Sequence, residues 1–502
     1  MGFMEKLEEN QKSYTENGAV GYKTTGHKIV DLNFAIPSFR TGIDKDLFEL
    51  SLKQDEKLTL KWLLYLRDVR KGVGERKSFR DFVMHLVNVD KELAEDFLSV
   101  VPIEEYGRWD DYVYLLCNVK ELSIRLIIFD KVRAQYFKDL ANMNIGQPVS
   151  LLGKWLPSEN SSSKETKHNA KFIRKLLDMD SKTYRKNLSA LREHIDVVER
   201  KMSANDWKNI KYENVPSKAN LIYSNAFFEH DTDRRKEYLE SLKNGETKIN
   251  AQALFLHDIV HKYSSNWYVR EYDETLEQMW KAQDKVNGFE NTIVVRDGSG
   301  SMTWAIGNSD VTALDVADAI TLYCAENNIG EFKNKFITFS ARARLIDVSC
   351  KNSLHDKLEL LSENDDCSNT NIENVFNLIL DTAIKNNMSQ NEMPKTVLII
   401  SDMELDAATN DFRGNRVDAT LFDSIAYKFE TNGYKLPKLV FWNVNSRTNT
   451  IPLQQNKNGV ILISGFSKNL MNMVMSSELD PYKALVNELE SERYSIVDKI
   501  YK

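Results

Sequence analysis

Five short runs in the second half of the chain are apolar almost throughout: "TIVVR" (292–296), "KFITFS" (335–340), "KTVLIIS" (395–401), "KLVFWNV" (438–444) and "GVILIS" (459–464). A strand with one wet face alternates apolar and polar residues, so runs like these belong to strands buried on both faces. Helical stretches such as "VTALDVADAITLYCAEN" and "NIENVFNLILDTAIKNN" separate most of them. That alternation specifies a mostly parallel, doubly wound sheet with helices on both sides. Ligands of such sheets bind at the carboxyl ends of the strands.

Before about residue 285 the period is different. In "RKSFRDFVMHLVNV" the apolar residues Phe79, Phe82, Val83, Leu86 and Val87 recur at helical spacing and make one face. "LTLKWLLYLRDVR" and "TYRKNLSALREHIDVVERKM" read the same way, and no β-alternating segment interrupts them. The expected fold class is therefore α plus α/β. An α-helical repeat array, HEAT-like and able to form a ring, occupies residues 1–288, and a doubly wound, Rossmann-like domain occupies 289–502. No strict repeat period is present.

The bulk numbers narrow the function classes. A formal net charge of -7 excludes a wholly basic nucleic-acid binder but allows a local basic surface. Cys117, Cys324, Cys350 and Cys367 form no CxxC pair, which points to a reducing, cytoplasmic setting. The opening residues contain no apolar leader, and no run reaches transmembrane length, so no membrane is expected. The chain is expected to be a monomer.

The segment "NTIVVRDGSGSMTW" (291–304) ends the first apolar run. A P-loop requires a lysine after its last glycine, and here Gly300 is followed by Ser301 and Met302. A dinucleotide fingerprint requires a third glycine, and Thr303 stands there. What remains is Asp297, Ser299 and Ser301 on a tight turn after a strand. Alternate residues of such a turn can present oxygens to one point, as a hard divalent cation requires, although Ser/Gly/Asp turns also occur without any ion. Thr370 in "CSNTNIENVF" and Asp402 in "VLIISDMELD" fall at the same edge of the expected sheet.

The order D-x-S-x-S, then Thr, then a strand-end Asp resembles the metal-ion-dependent adhesion site of von Willebrand factor A domains. The resemblance implies that Ser299 and Ser301 bind the ion, magnesium, directly. It implies that Asp297 and Asp402 act mostly through coordinated water, and Thr370 directly or through water. The open position would take a partner's carboxylate or a phosphate oxygen. Gly298 departs from the pattern, since that family more often has a larger residue there.

In the helical half, "LKWLLYLRDVRKGVGERKSFRDF", "YGRWDDYVYLL", "LLGKWLPS" and "VPSKANLIYSNAFFEHD" resemble the Ro ribonucleoprotein family. That family joins a ring of helical repeats, the TROVE module, to a von Willebrand A domain. The nearest likeness is to a branch found in plants, fungi, bacteria and phages. The resemblance implies an RNA partner, held as single-stranded ends or as small structured RNA, and a role in RNA quality control, stability or processing. Residues 151–220 carry 15 lysines and arginines against 9 acidic residues, a net +6 that leaves −13 on the remainder. A basic surface on an acidic protein is expected of an RNA binder, and a solvated helix face is the alternative. Candidate contacts are Lys171, Arg174, Lys175, Lys182, Arg185, Lys186 and Arg192, with Trp155, Tyr184, Trp207 and Tyr212 as possible stacking partners.

Two further clusters carry less. Arg67, Arg70, Lys71, Arg76, Lys77 and Arg80 surround Gly72 and Gly74, where ion pairs with Asp68 and Glu75 compete with RNA contact as the explanation. His257 and His261 in "FLHDIVHKY" are spaced as zinc ligands, but Asp258 replaces the expected glutamate and no third ligand follows. With no catalytic constellation in view, no enzyme is expected. The competing function class is a protein scaffold whose metal site takes a partner's Asp or Glu.

Overall fold

In chain order the strands are β1 (Lys12–Tyr14), β2 (Val20–Tyr22), β3 (Ser264–Ser265), β4 (Tyr268–Val269), β5 (Thr292–Asp297), β6 (Lys335–Phe339), β7 (Ala343–Asp347), β8 (Thr396–Ser401), β9 (Lys438–Asn443) and β10 (Val460–Ser464). Six of them form one sheet in the order β10-β9-β8-β5-β6-β7, parallel except at the β6–β7 edge. This computed structural model describes residues 11–265, 268–285, 290–365, 367–406, 421–452, 460–475, 478 and 480–502. A helical array and a Rossmann-like α/β domain make up the fold, as the change of hydrophobic period demands.

All five apolar runs are strands of this sheet. Val294, Val295, Leu398, Ile399, Ile400, Val440, Phe441 and Trp442 are completely buried. Each such side chain contributes about 1.5–3 kcal/mol on leaving water. The sixth strand, β7, was not expected, because an edge strand with three exposed residues shows no apolar run. The short ribbons β1–β2 and β3–β4 also correct the all-helical reading of the first 285 residues. Strands of two or three residues are too short to display a period.

From β5 the chain passes through the Ala313–Asn327 helix to β6 on one side of β5, and later returns through β8 on its other side. The crevice between the ends of β5 and β8 is thus the point where the strand order reverses. Asp297 ends β5, and Asp402 follows β8 directly.

The chain divides into two compact units, and the division differs from the expected boundary at 288. One unit comprises Met1–Trp62 and Ala251–Ser491, the other Leu63–Asn250 and Glu492–Lys502. Tertiary packing is the reason. The Phe34 carbonyl, at the end of the Lys28–Phe34 helix, accepts from Asn443 Nδ2 and Ser464 Oγ, both at 2.9 Å. Tyr22 pairs in antiparallel fashion with Ile451. The Leu256–Tyr263 helix packs on the Ala313–Asn327 helix.

Within the helical unit, the Lys77–Val89 helix buries Phe79, Phe82, Val83, Leu86 and Val87, the face that its spacing predicts. "TYRKNLSALREHIDVVERKM" forms two helices, Ser181–His194 and Val198–Ser203, broken at Asp196, whose φ is 59°. Three residues of the basic cluster around residue 70, Arg67, Arg76 and Arg80, form ion pairs with Asp110 and Asp111. Buried Arg67 and half-buried Arg80 share Asp111 (Nη2–Oδ2 2.8 Å and Nε–Oδ1 2.7 Å), and Arg80 and Arg76 reach Asp110. Asp68 pairs with Arg493 at 2.7 Å. No helix of the described residues is long and apolar enough to cross a membrane.

Candidate metal centre

The turn after β5 is built on the Asp297 carboxylate. Its Oδ1 accepts the Ser299 N–H at 2.9 Å, and its Oδ2 accepts the Ser401 hydroxyl at 2.6 Å, tying the β5 end to the β8 end. Ser299 Oγ and Ser301 Oγ lie 3.2 Å apart. Asp402 Oδ1 accepts the Glu404 N–H at 3.2 Å, and its Oδ2 pairs with Arg447 Nη1 at 3.3 Å. The Thr370 loop adjoins both strand ends. Ser368 C=O accepts from Gly300 N–H at 3.1 Å, and Thr370 C=O from Asp406 N–H at 3.0 Å. All five residues expected as ligands therefore lie along one edge; Asp297, Ser299, Thr370 and Asp402 are buried, and Ser301 is half-buried.

Two buried carboxylates so close together carry an electrostatic cost. Burial, and then the charge of Asp402, pushes the Asp297 carboxyl up to about 7, against hydrogen bonds from Ser401 and Ser299. Burial likewise raises Asp402, opposed by Ser301 and Arg447. Asp402 Oδ2 is a buried oxygen without a hydrogen-bond partner among the described residues. A buried carboxylate oxygen with no hydrogen bond, held by one ion pair to Arg447 and set beside a second carboxylate and two serine hydroxyls, fits a hard divalent cation.

Gly298 has a local explanation. A Cβ there would stand 3.0 Å from Asp365 Oδ1, 3.2 Å from Arg296 Nη1 and 3.3 Å from Thr338 Oγ1. Arg296 is completely buried, with Nε 2.5 Å from Asp318 and Nη2 2.9 Å from Asp365. Burial disfavours its charge, but Asp318 and Asp365 outweigh that and hold the guanidinium above its usual range. The glycine makes room for this ion-pair cluster directly beneath the turn.

Several residues at this edge have no sequence signal. Glu404, completely buried, accepts from the backbone N–H groups of Glu16 (2.8 Å), Arg447 (2.8 Å) and Thr448 (3.0 Å). It thereby joins the β1–β2 hairpin to the loop after β9. Arg447 lies over Trp304, 4.9 Å from its ring centroid, and pairs with Glu16 at 2.8 Å.

The basic candidates divide. On the Lys164–Leu176 and Ser181–His194 helices, Lys171, Lys175, Lys182, Arg185 and Lys186 are exposed, and none forms an ion pair with a described residue. Arg174 instead pairs with Glu159 at 2.9 Å. Arg192 donates to the carbonyls of Gly153 and Leu156 and to Ser158 Oγ, holding that loop. Tyr184 is buried and donates to Pro157 C=O; Tyr212 lies in the core between Phe227 and Tyr238. These two tyrosines and two arginines are structural, because the buried helix faces claim them.

The two histidines do not converge on a metal. His257 is buried and stacked on Phe255, whereas His261 Nδ1 is 2.8 Å from Asp315 and its Nε2 3.3 Å from Asp310. The hydrogen bond to Asp315 raises the His261 pKa, burial opposes it, and the charges of Asp315 and Asp310 add to it. This contribution is fully present below pH ~6.5 and is lost as pH rises through the raised folded value. Urea unfolding of His261→Gln should show a deficit of about 1 kcal/mol at pH 6, modest because the pair is part-exposed, that shrinks by pH 9. A deficit independent of pH would contradict this.

Comparison with known proteins places the chain among relatives without fixing a family. Residues 291–498 match a domain of unknown function (DUF7788) and residues 149–294 a second one (DUF2828). Uncharacterized protein L728 of Acanthamoeba polyphaga mimivirus is 28% identical over 523 residues, spanning 95% of this chain and 87% of that protein. The crystal structure of the Deinococcus radiodurans RO (RSR) protein aligns with 88% of this chain and 99% of its own. That alignment has 12% identity and a TM-score of 0.35, too distant to carry an inference.

Proposed function

We propose that this chain is a cation-dependent binding protein whose α/β unit holds Mg2+ at the β5–β8 crevice and whose helical unit binds RNA. The observation that carries the first part is the meeting of two buried carboxylates, two serine hydroxyls and the Thr370 loop at one strand edge, with Asp402 Oδ2 making no hydrogen bond. Ser299 and Ser301 would ligate the ion, while Asp297, Asp402 and Thr370 would complete its shell directly or through water. Bound there, the ion supplies a Lewis-acidic position for one carboxylate or phosphate oxygen of a partner. Asp297→Ala in folded protein, or EDTA on the wild type, should abolish retention of such a partner. Undiminished binding after both treatments would remove the cation from the account.

The RNA part rests on the five exposed, unpaired cations of two successive helices and on the likeness of the helical strings to Ro ribonucleoproteins. Reversing Lys171, Lys175, Arg185 and Lys186 to glutamate should weaken binding of a duplex with a single-stranded 3′ tail by about two orders of magnitude at moderate salt. It should also flatten the salt dependence. Equal affinities for the variant and the wild type would place any RNA surface elsewhere.

A further inference from the structure

The rim of the candidate metal centre holds an arginine already engaged by a carboxylate. Arg447 Nη2 is 2.8 Å from Glu16, and its Nη1 lies 3.3 Å from Asp402 Oδ2 without forming a hydrogen bond. Its guanidinium covers the Trp304 ring, and Trp304 is 58% exposed just past the Asp297–Ser301 turn. Glu16 stands at the tip of the β1–β2 hairpin. Its neighbour Asn17 donates to Glu404 C=O at 2.6 Å and reaches Thr370 Oγ1 at 3.4 Å. The tip thus spans the edge from the arginine to an expected ligand.

The backbone of the tip is pinned independently of the Glu16 carboxylate. Thr15 Oγ1 donates to Leu405 C=O at 2.6 Å, Glu16 N–H to Glu404 at 2.8 Å, and Gly18 pairs with Asp406. Only the Glu16 side chain, part-exposed, needs to move for the Nη2 side of Arg447 to be freed, while Nη1 stays beside Asp402. An arginine on an aromatic face is preorganised for a planar carboxylate, and Glu16 shows which chemistry the position accepts.

We propose that Arg447 is the specificity-determining residue of this edge. It receives a carboxylate of an acidic protein segment, and Glu16 is an internal carboxylate that the partner's must displace. The inference rests on the cation reading of the same site, because a second carboxylate of that segment would meet the ion. Specificity for closely spaced acidic side chains follows, since one group answers to the ion and the next to the guanidinium.

The test uses full-length protein and two separate readouts: Mn2+ binding by electron paramagnetic resonance, and anisotropy of a fluorescein-labelled Gly-Glu repeat peptide with a Gly-Gln repeat as control. Glu16→Gln should raise affinity for the acidic peptide about fivefold, the worth of one part-exposed ion pair, with Mn2+ binding unchanged. Adding Arg447→Gln should cancel that gain while Mn2+ binding holds or tightens, because a positive charge 3.3 Å from Asp402 Oδ2 is removed. In protein that binds Mn2+, equal peptide affinity of Glu16→Gln and wild type overturns the proposal. So does a gain shown by a single-stranded oligonucleotide in place of the peptide. Failure of every form to bind Mn2+ overturns the cation reading itself, whatever the peptide does.

Discussion

Replacement of Arg296 by methionine is expected to destabilise the α/β unit by about 3 kcal/mol or more, the usual cost of removing one partner from a buried ion pair. Arg296 is completely buried as the penultimate residue of β5, straight after the apolar residues Ile293, Val294 and Val295. It is the counter-charge for Asp318 on the Ala313–Asn327 helix and for Asp365 in the loop leading to Thr370. Burial already pushes the Asp318 carboxyl up to about 7, and the Arg296 charge opposes that rise. Without the guanidinium, both carboxylates must protonate or drag water into the sheet. Equilibrium urea unfolding reads the loss. Arg296→Met combined with Asp318→Asn and Asp365→Asn should recover much of it, since removing a whole buried ionic cluster costs far less than breaking it. A single variant within about 0.5 kcal/mol of wild type, the range of ordinary surface substitutions, would show that solvent reaches the cluster.

The same residue shows where reading the sequence stops. The five apolar strands and the D-x-S-x-S turn are local patterns, carried by a few adjacent residues, and the strands form one sheet with the turn at the end of β5. Arg296 interrupts such a pattern, and its partners lie 22 and 69 positions away, so nothing nearby announces the cluster. Gly298, a departure in the motif, is explained only by that cluster. The compact units divide elsewhere than at residue 288 for a related reason. An amphipathic helix such as Leu256–Tyr263 shows that it has a buried face, but not which unit that face packs against. Glu404 and Glu16 act through contacts nearly the whole chain apart, beyond any spacing rule. Counting charge likewise found the basic region without separating Lys171, which faces water, from Arg192, which is spent on its own carbonyls.

Asp402→Asn is expected to act in the opposite sense to Arg296→Met. In metal-free protein the asparagine keeps an oxygen for the Glu404 N–H and removes a buried charge that has no hydrogen bond at Oδ2. Stability in EDTA should therefore equal or exceed that of wild type. With Mg2+ at roughly a hundred times its dissociation constant, wild type should gain about 2.7 kcal/mol by mass action, and Asp402→Asn less than about 1 kcal/mol. Thermal melts in Mg2+ and in EDTA measure all four states. Equal stabilisation of both proteins by Mg2+ would mean that the ion binds away from this edge. A large loss for Asp402→Asn in EDTA would mean that the carboxylate is structural. The contrast with Arg296 is the deciding argument. Beneath the turn, one guanidinium is held by two carboxylates in a closed cluster, and removing the cation breaks it. At the turn, two buried carboxylates raise the cost of each other's charge, and the one guanidinium there among the described residues, Arg447, is shared between Asp402 at 3.3 Å and Glu16 at 2.8 Å. One shared guanidinium leaves these two carboxylates under-compensated and a divalent cation would complete the balance, so losing a carboxylate should weaken the ion's hold and spare the fold.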